Sequence, residues 1–252
     1  MDFYDQLAPL YHLIYPDWPA SVALQGTQLD AIVQAEWPAA ARVLDLSCGI
    51  GTQALGLAQR GYTVRASDLS PGAVARARQE AQVRGLSIDT AVGDMREAHA
   101  LHGSGFDVVL SADNSVPHLQ NDVDILLALR QMWLCLRPGG GCVLTVRDYA
   151  QEPRGRHLVK HYGARVEGRR RHVLFQVWDF DGPDATHYDF SFFAVEEDLD
   201  THEVGTRVLR SRYYAITTDR LLALMREAGF VHARRLDGAF YQPVLIGTRP
   251  TA

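Results

Sequence analysis

From about residue 41 the chain alternates short β-branched or apolar runs with stretches of helical periodicity, and this alternation constrains the fold more than any other feature. Strands that recur with a helix between them pair in parallel and bury both faces, so the pattern calls for a doubly wound sheet. Arg42 to Leu46 reads as the first strand, and Cys48-Gly49-Ile50-Gly51 turns it into a helix from Thr52 to Arg60. Tyr62 to Ala66 is the second strand. Ser70 ahead of Pro71 caps a helix that runs to about Arg84 and stops at Gly85. Leu86 to Val92 and Phe106 to Ala112 give the third and fourth strands. Residues 122–136 form an apolar helix closed by Arg137-Pro138-Gly139-Gly140, and Cys142 to Val146 is the fifth strand.

The alternation then stops. Three runs rich in Val, Tyr, Phe and Thr (165–179, 186–196 and 204–216) follow without a helix between them. Turn signals at Asp181-Gly182-Pro183 and from Glu197 to Asp200 separate them, which predicts a small antiparallel sheet inserted after the fifth strand. Helical periodicity resumes from Thr218 to Ala228, ending at Gly229, and strands at about 230–236 and 241–248 are joined around Asp237-Gly238. A last strand that returns through a hairpin must run antiparallel. The expected fold class is therefore α/β: a doubly wound, mostly parallel seven-stranded sheet with an antiparallel C-terminal strand. With no repeat or linker, one domain over residues 1–252 is the economical reading. It comprises a helical N-terminal cap (1–35), a core (36–150), an inserted antiparallel lid (151–216) and a closing helix and hairpin (217–252).

Composition removes several classes. With 252 residues, 47% hydrophobic and 22% charged, the chain buries a substantial core and is no disordered or disulfide-built protein. A net charge of -5 and a pI near 6.0 argue against a nucleic-acid partner. No apolar run approaches the roughly 18 residues that span a bilayer. Met1-Asp2-Phe3-Tyr4-Asp5 is acidic where a signal peptide is cationic. Three cysteines, Cys48, Cys135 and Cys142, fit a reducing compartment. The expectation is a cytoplasmic protein with a small-molecule substrate, no membrane or nucleic-acid partner, and an oligomeric state that the sequence leaves open.

Gly49-Ile50-Gly51-Thr52-Gln53-Ala54 fits the loose dinucleotide pattern and sits on the first strand-to-helix unit, where such sheets bind nucleotides. Asp68 closes the second strand 17 residues beyond Gly51, where a carboxylate accepts hydrogen bonds from both ribose hydroxyls. Its other reading, a helix cap, is already supplied by Ser70. Asp45 stands four residues before Gly49, beside Ser47. There it repels a pyrophosphate, but it can orient the turn amides and favour a cationic amino-acid moiety. That separates S-adenosylmethionine (SAM) from a nicotinamide cofactor. Asp94 supplies an acceptor for an adenine amino group and Met95 a cover for the ring, although Asp94 also reads as a plain loop carboxylate.

With these residues the sequence resembles the class I SAM-dependent methyltransferases. The matching segments are Val43 to Thr52, Ala66 to Ser70, Gly93-Asp94-Met95 and Leu136 to Gly140, in the family's order and spacing over about residues 35–150. The resemblance implies a Rossmann-like methyltransferase fold and SAM as cofactor, held by Tyr11, Asp45, Ser47, Gly49, Gly51, Asp68, Leu69, Asp94, Met95 and Ala112. Asp113-Asn114-Ser115-Val116-Pro117-His118-Leu119 and Arg147-Asp148-Tyr149 look like the acceptor segments of glycine N-methyltransferases. By that resemblance Arg147 grips a substrate carboxylate and Asn114 helps hold the acceptor; the amine must lose its proton before attack, and His118 or a tyrosine near the lid can accept it through water. Arg147 also reads as an internal ion pair with Asp148 or Asp113, and His118 as a satisfied hydrogen-bonder.

Further readings stay beside these. Phe3, Leu7, Leu10, Tyr11 and Ile14 form one apolar stripe, so much of the N-terminal segment is core even where Tyr4, Tyr11, Tyr15 or Trp18 cap a cofactor. Asp113, Asn114 and Asp148 are the candidate oxygen ligands for a metal, but Arg147 beside them argues against one. The expected chemistry is in-line methyl transfer to the amine of a carboxylate-bearing metabolite. O-methylation of a small molecule, an NAD-dependent reductase and a non-catalytic SAM-binding protein are the rivals.

Overall fold

A computed structural model describes residues 3–251; Met1 and Asp2, which open the acidic N-terminal stretch, and Ala252 lie outside the described residues. The chain begins with α1 (Phe3–Leu7), a 3-10 turn (Tyr11–Ile14) and α2 (Trp18–Glu36). Pro9 and Pro16 break what would otherwise be one helix, and the Asp17 carboxylate caps α2 by accepting from the Ala20 amide at 2.9 Å. The core follows as β1 (Arg42–Asp45), α3 (Thr52–Ala58), β2 (Thr63–Asp68), α4 (Pro71–Val83), β3 (Ile88–Val92), α5 (Ala98–His102), β4 (Phe106–Ser111), α6 (Asp122–Cys135) and β5 (Leu136–Thr145). The inserted sheet is β6 (Leu158–Glu167), β7 (Arg170–Phe180), β8 (His187–Asp198) and β9 (Val204–Tyr214). The chain ends with α7 (Thr218–Glu227), β10 (Val231–Leu236) and β11 (Val244–Thr248).

The large sheet has seven strands in the order β10-β11-β5-β4-β1-β2-β3. β11 runs antiparallel to both neighbours, as the hairpin requires, while β5-β4-β1-β2-β3 pair in parallel. After β1 the chain winds outward through β2 and β3, then crosses back to place β4 on the other side of β1. Strand order reverses there, and the reversal opens a crevice at the carboxyl ends of β1 and β4. β1 and β4 are almost wholly buried, so each Val or Leu contributes about 1.5–3 kcal/mol and the crevice has a rigid floor.

Two packing contacts bring the N-terminal segment over that crevice. α2 crosses α3 at Gly26 and Gly56, where a Cβ on Gly26 would stand 2.5 Å from the Gly56 carbonyl oxygen. Only glycine permits so close a crossing. Phe3, Leu7 and Leu13 pack instead on the inserted sheet, in a cluster with Trp178, Phe190 and Phe192. The apolar stripe expected at residues 3–14 is therefore core, shared with the second sheet.

The inserted sheet has four strands where three runs were expected. Gly168, at φ +57°, turns the chain inside the expected 165–179 run, and β6 precedes it. β6 has no fully buried residue, its apolar residues are broken up by Lys160, His161 and Arg165, and a register shift interrupts it between His161 and Gly163, so it lacks an apolar run. β5 starts at Leu136 and takes in Arg137-Pro138-Gly139-Gly140, which had read as a loop, because Leu136 already pairs with Phe106. α3 stops at Ala58 instead of Arg60, and residues 237–243 form a longer hairpin connection than expected.

Candidate active site

The glycine turn is shaped by two left-handed residues, Gly49 at φ +52° and Gly51 at φ +98°, a conformation that costs other residues energy. Asp68 ties this turn to the next one. Its Oδ2 accepts the Gly49 amide and its Oδ1 the Ser70 amide, both at 2.9 Å. Ser70 Oγ accepts from the Ala73 amide and donates to Asp5 Oδ1 at 2.5 Å, so α1 is fastened to the start of α4.

A cavity of about 520 Å³ opens above this turn, lined by Ser47, Gly49, Asp68, Leu69, Asp94 and Met95 among others. Six of the expected cofactor residues thus converge on one space, and Tyr11 joins them from the N-terminal segment. Three do not face it. Gly51 forms the turn behind it. Ala112 is 2% exposed and packs into the core, its carbonyl accepting from Ser115 Oγ. Asp45 is wholly buried beneath the floor, where Oδ1 accepts the Ser47 amide at 3.1 Å and Oδ2 has no partner. Burial, and then the Asp68 charge, push the Asp45 pKa up to about 7. Asp94 is held by Arg96 at 2.6 Å, whose hydrogen bonds keep its carboxyl below the usual range.

A second cavity of about 610 Å³ lies toward the inserted sheet, with Arg147, Asp148, Gln176, Tyr213, Tyr241 and Gln242 in its wall. The two cavities share Phe3, Tyr4, Tyr11, Tyr15 and Asp113. Asp113 stands on this common wall and accepts three phenols: Tyr11 at 3.0 Å, Tyr15 at 3.3 Å and Tyr241 at 2.5 Å.

Arg147 follows β5 and extends into the second cavity. Its guanidinium lies 4.8 Å from the Trp178 ring centre and donates to the Tyr188 hydroxyl at 3.4 Å. Neither expected ion-pair partner engages it: Asp148 pairs with Arg235 at 2.7 Å, and Asp113 takes the tyrosines. Among the described residues Arg147 forms no ion pair. Asn114 does not line either cavity. It is 1% exposed, donates to the Tyr149 hydroxyl at 2.8 Å and accepts the Arg147 backbone amide at 3.0 Å. Its place is behind the Arg147 loop.

His118 lines the first cavity, with Nε2 2.5 Å from the Tyr4 hydroxyl and its ring 3.9 Å from that of Tyr213. Burial, reinforced by the Arg147 charge, pushes its pKa down to about 3, while burial raises that of Tyr4. With a neutral imidazole and a protonated phenol, Tyr4 is assigned as the donor. Tyr213, Tyr241 and Trp178 were not singled out as site residues from the sequence, and Asp113 was weighed there only as a metal ligand, as an ion-pair partner of Arg147 and as the start of an acceptor segment. Among the described residues no three His, Cys, Asp or Glu side chains cluster as metal ligands, and Asp148 is engaged by Arg235.

An open sheet with a reversed final hairpin, a glycine turn after β1 and acidic residues after β2 and β3 is the architecture of the class I SAM-dependent methyltransferases. Residues 43–140 match a family described as a methyltransferase domain. The glycine/sarcosine N-methyltransferase of Parasynechococcus marenigrum is 31% identical over 134 residues, covering 53% of this chain and 46% of that protein. The ubiquinone biosynthesis O-methyltransferase of Roseobacter denitrificans is 38% identical over 99 residues, 39% of this chain and 38% of that protein. The chain thus spans less than half the length of these curated relatives. The solved structure of SAM-bound CalS10, an amino pentose methyltransferase from Micromonospora echinaspora, superposes with a TM-score of 0.79 at 21% identity. That match covers 96% of this chain and 95% of CalS10, a likeness of fold that includes the inserted sheet. Over residues 43–140 the chain thus matches a methyltransferase domain, on a fold that it shares with a SAM-bound methyltransferase.

Proposed function

We propose that this protein transfers the methyl group of SAM to the amine of a small, carboxylate-bearing metabolite. The observation that carries the reading is Arg147, a cation with no acidic partner in the wall of a cavity that adjoins the cofactor's. A planar guanidinium is the natural bidentate partner of a carboxylate, and Trp178 beneath it fixes its plane.

The residues at the first cavity suit SAM by their chemistry. Asp68 offers oxygens for a ribose diol, Asp94 an acceptor for adenine, and Leu69 and Met95 apolar cover for the ring. Asp45 holds an unpartnered oxygen beneath the turn. SAM, when bound, supplies an electrophilic methyl group on a good leaving group. The protein then has to position the acceptor and exclude water, worth several kcal/mol of barrier. Arg147 fixes one end of the acceptor. Tyr4, Tyr11 and Tyr15, standing between the cavities, frame the passage through which the nitrogen reaches the methyl group. His118 positions Tyr4, and with a pKa near 3 it is no base at neutral pH. The amine sheds its proton to water before attack.

Incubating the purified protein with labelled SAM and a panel of amino acids, alongside their methyl esters, tests this reading. N-methylated product from a free acid, with at least tenfold less from its ester, supports it. Equal product from both removes the role of Arg147, and affinity for NADH in place of SAM removes the reading altogether.

A further inference from the structure

Three carboxylates line the acceptor cavity, and one of them lacks a cation. Asp148 pairs with Arg235 at 2.7 Å and Glu152 with Lys160 at 2.6 Å. Asp113 forms no ion pair among the described residues. Its partners are neutral phenols, Tyr11 and Tyr15 on Oδ2 and Tyr241 on Oδ1. Burial and then the charge of Asp113 itself hold all three phenols well above their usual pKa, so they remain donors. A carboxylate accepts about four hydrogen bonds, so Oδ1 retains one more direction. With Arg147, the cavity thus presents one cation and one anion, each without an opposite charge.

The backbone adds a second observation. Asp113 and Asn114 are consecutive left-handed residues, at φ +57° and +63°, a conformation that is costly outside glycine. The surroundings impose it: the Asp113 amide donates to Thr145 Oγ1 at 2.8 Å and the Asn114 amide to the Thr145 carbonyl at 2.9 Å. This turn sets the Asp113 side chain on the wall that both cavities share, where a methyl group must cross.

We infer that Asp113 selects a nitrogen acceptor over an oxygen one, by accepting an N–H of the amine and stabilising the charge the nitrogen gains. In the transfer the amine lone pair forms the N–C bond as the C–S bond breaks, and the bonding electrons stay on sulfur. Positive charge therefore passes from sulfur to nitrogen across the wall where Asp113 stands. A fixed anion at that point favours the step electrostatically. An anionic oxygen acceptor brings negative charge against the same carboxylate and is disfavoured. The inference rests on the methyltransferase reading above and adds the residue that selects nitrogen as the accepting atom.

Matched amino acids and hydroxy acids of the same skeleton test it, because both carry the carboxylate that Arg147 takes. The wild type, with labelled SAM, is expected to methylate an amino acid at least about a hundredfold faster than its hydroxy acid. Asp113→Asn should cut that ratio about tenfold or more, and Asp113→Glu, which keeps the charge, should restore part of it. Calorimetry on protein saturated with S-adenosylhomocysteine gives a readout apart from turnover. The amino acid should bind less tightly to the Asn variant, while the hydroxy acid and S-adenosylhomocysteine should bind as to the wild type. An unchanged ratio in the Asn variant overturns the inference, as does a Glu variant no better than Asn or a wild type equally active on both acids. If the wild type binds SAM but methylates neither acid, the reading in the preceding subsection falls, and this one with it.

Discussion

The cavity proposed for the cofactor takes half of its lining from neighbouring turns, Ser47 to Gln53, Asp68 to Ser70 and Gly93 to Arg96, at the ends of the first three strands. The acceptor cavity is assembled from Tyr4, Asp113, Arg147, Gln176, Tyr213 and Tyr241, which belong to five different parts of the chain. The hydrogen bonds follow the same division. Asp68 binds amides 19 and 2 residues away, whereas Asp113 binds tyrosines 102, 98 and 128 residues away. A local framework preorganises the cofactor side whether or not an acceptor is present. The acceptor side exists only once the N-terminal segment, the inserted sheet and the final hairpin have docked together. Cofactor and acceptor recognition should therefore be separable by mutation.

The largest expected effect falls on the cofactor side and reads out in stability. Asp45 keeps its proton in the folded state up to about pH 7, whereas an exposed aspartate loses it near 3.8. Between those values the folded state binds more protons than the unfolded one, so this group makes stability fall as pH rises from about 4 to 7. The whole loss is up to about 4 kcal/mol. Asp45→Asn should remove this slope in urea titrations across that window, and identical slopes in variant and wild type would contradict the burial cost.

Asp68→Ala comes next. It should weaken SAM binding by about 1.5–3 kcal/mol, the scale of hydrogen bonds to a charged acceptor, in calorimetry on protein that remains folded. An unchanged dissociation constant would show that the ribose lies elsewhere. Arg147→Lys tests the other half: it should cost about 2 kcal/mol in kcat/KM and leave SAM affinity nearly intact, because a point charge replaces a fork. Loss of SAM binding together with Arg147 would break the division between the cavities. The smallest effect belongs to His118. Removing its bond to Tyr4 in His118→Gln should lower kcat/KM by about 1 kcal/mol. The pH profile between 5 and 9 should not move, since a group with pKa near 3 does not titrate there. A shifted acid limb would make His118 the base after all.

The same contrast explains what could be read before the fold was seen. The β1 to β5 alternation, the capped start of α4 at Ser70 and the reversed β11 hairpin were legible because each depends on local pattern. So were the glycine turn, Asp68 and Asp94, which are spaced by single strand–helix units. Asn114 and Ala112 show the limit of local reading. Both stand beside residues that line the cavities, yet the left-handed turn at Asp113 and Asn114 sends the Asn114 side chain behind the Arg147 loop, and Ala112 packs inward. The tyrosine cluster on Asp113 left no trace in spacing, because Tyr241 reaches it from the hairpin connection and Tyr11 and Tyr15 from the N-terminal segment. β6 escaped notice for a different reason: a half-exposed strand with a register shift carries no apolar run.

A crystal structure of the protein with S-adenosylhomocysteine and an unreactive carboxylate-bearing amine analogue puts the two-cavity division to its most direct test. The expected result has the adenosyl group against Asp68, Asp94 and Met95. The analogue's carboxylate should rest on the Arg147 guanidinium and its nitrogen at the Asp113 wall. An analogue bound away from Arg147, or an adenosyl group lying in the cavity of Gln176 and Tyr241, would contradict it.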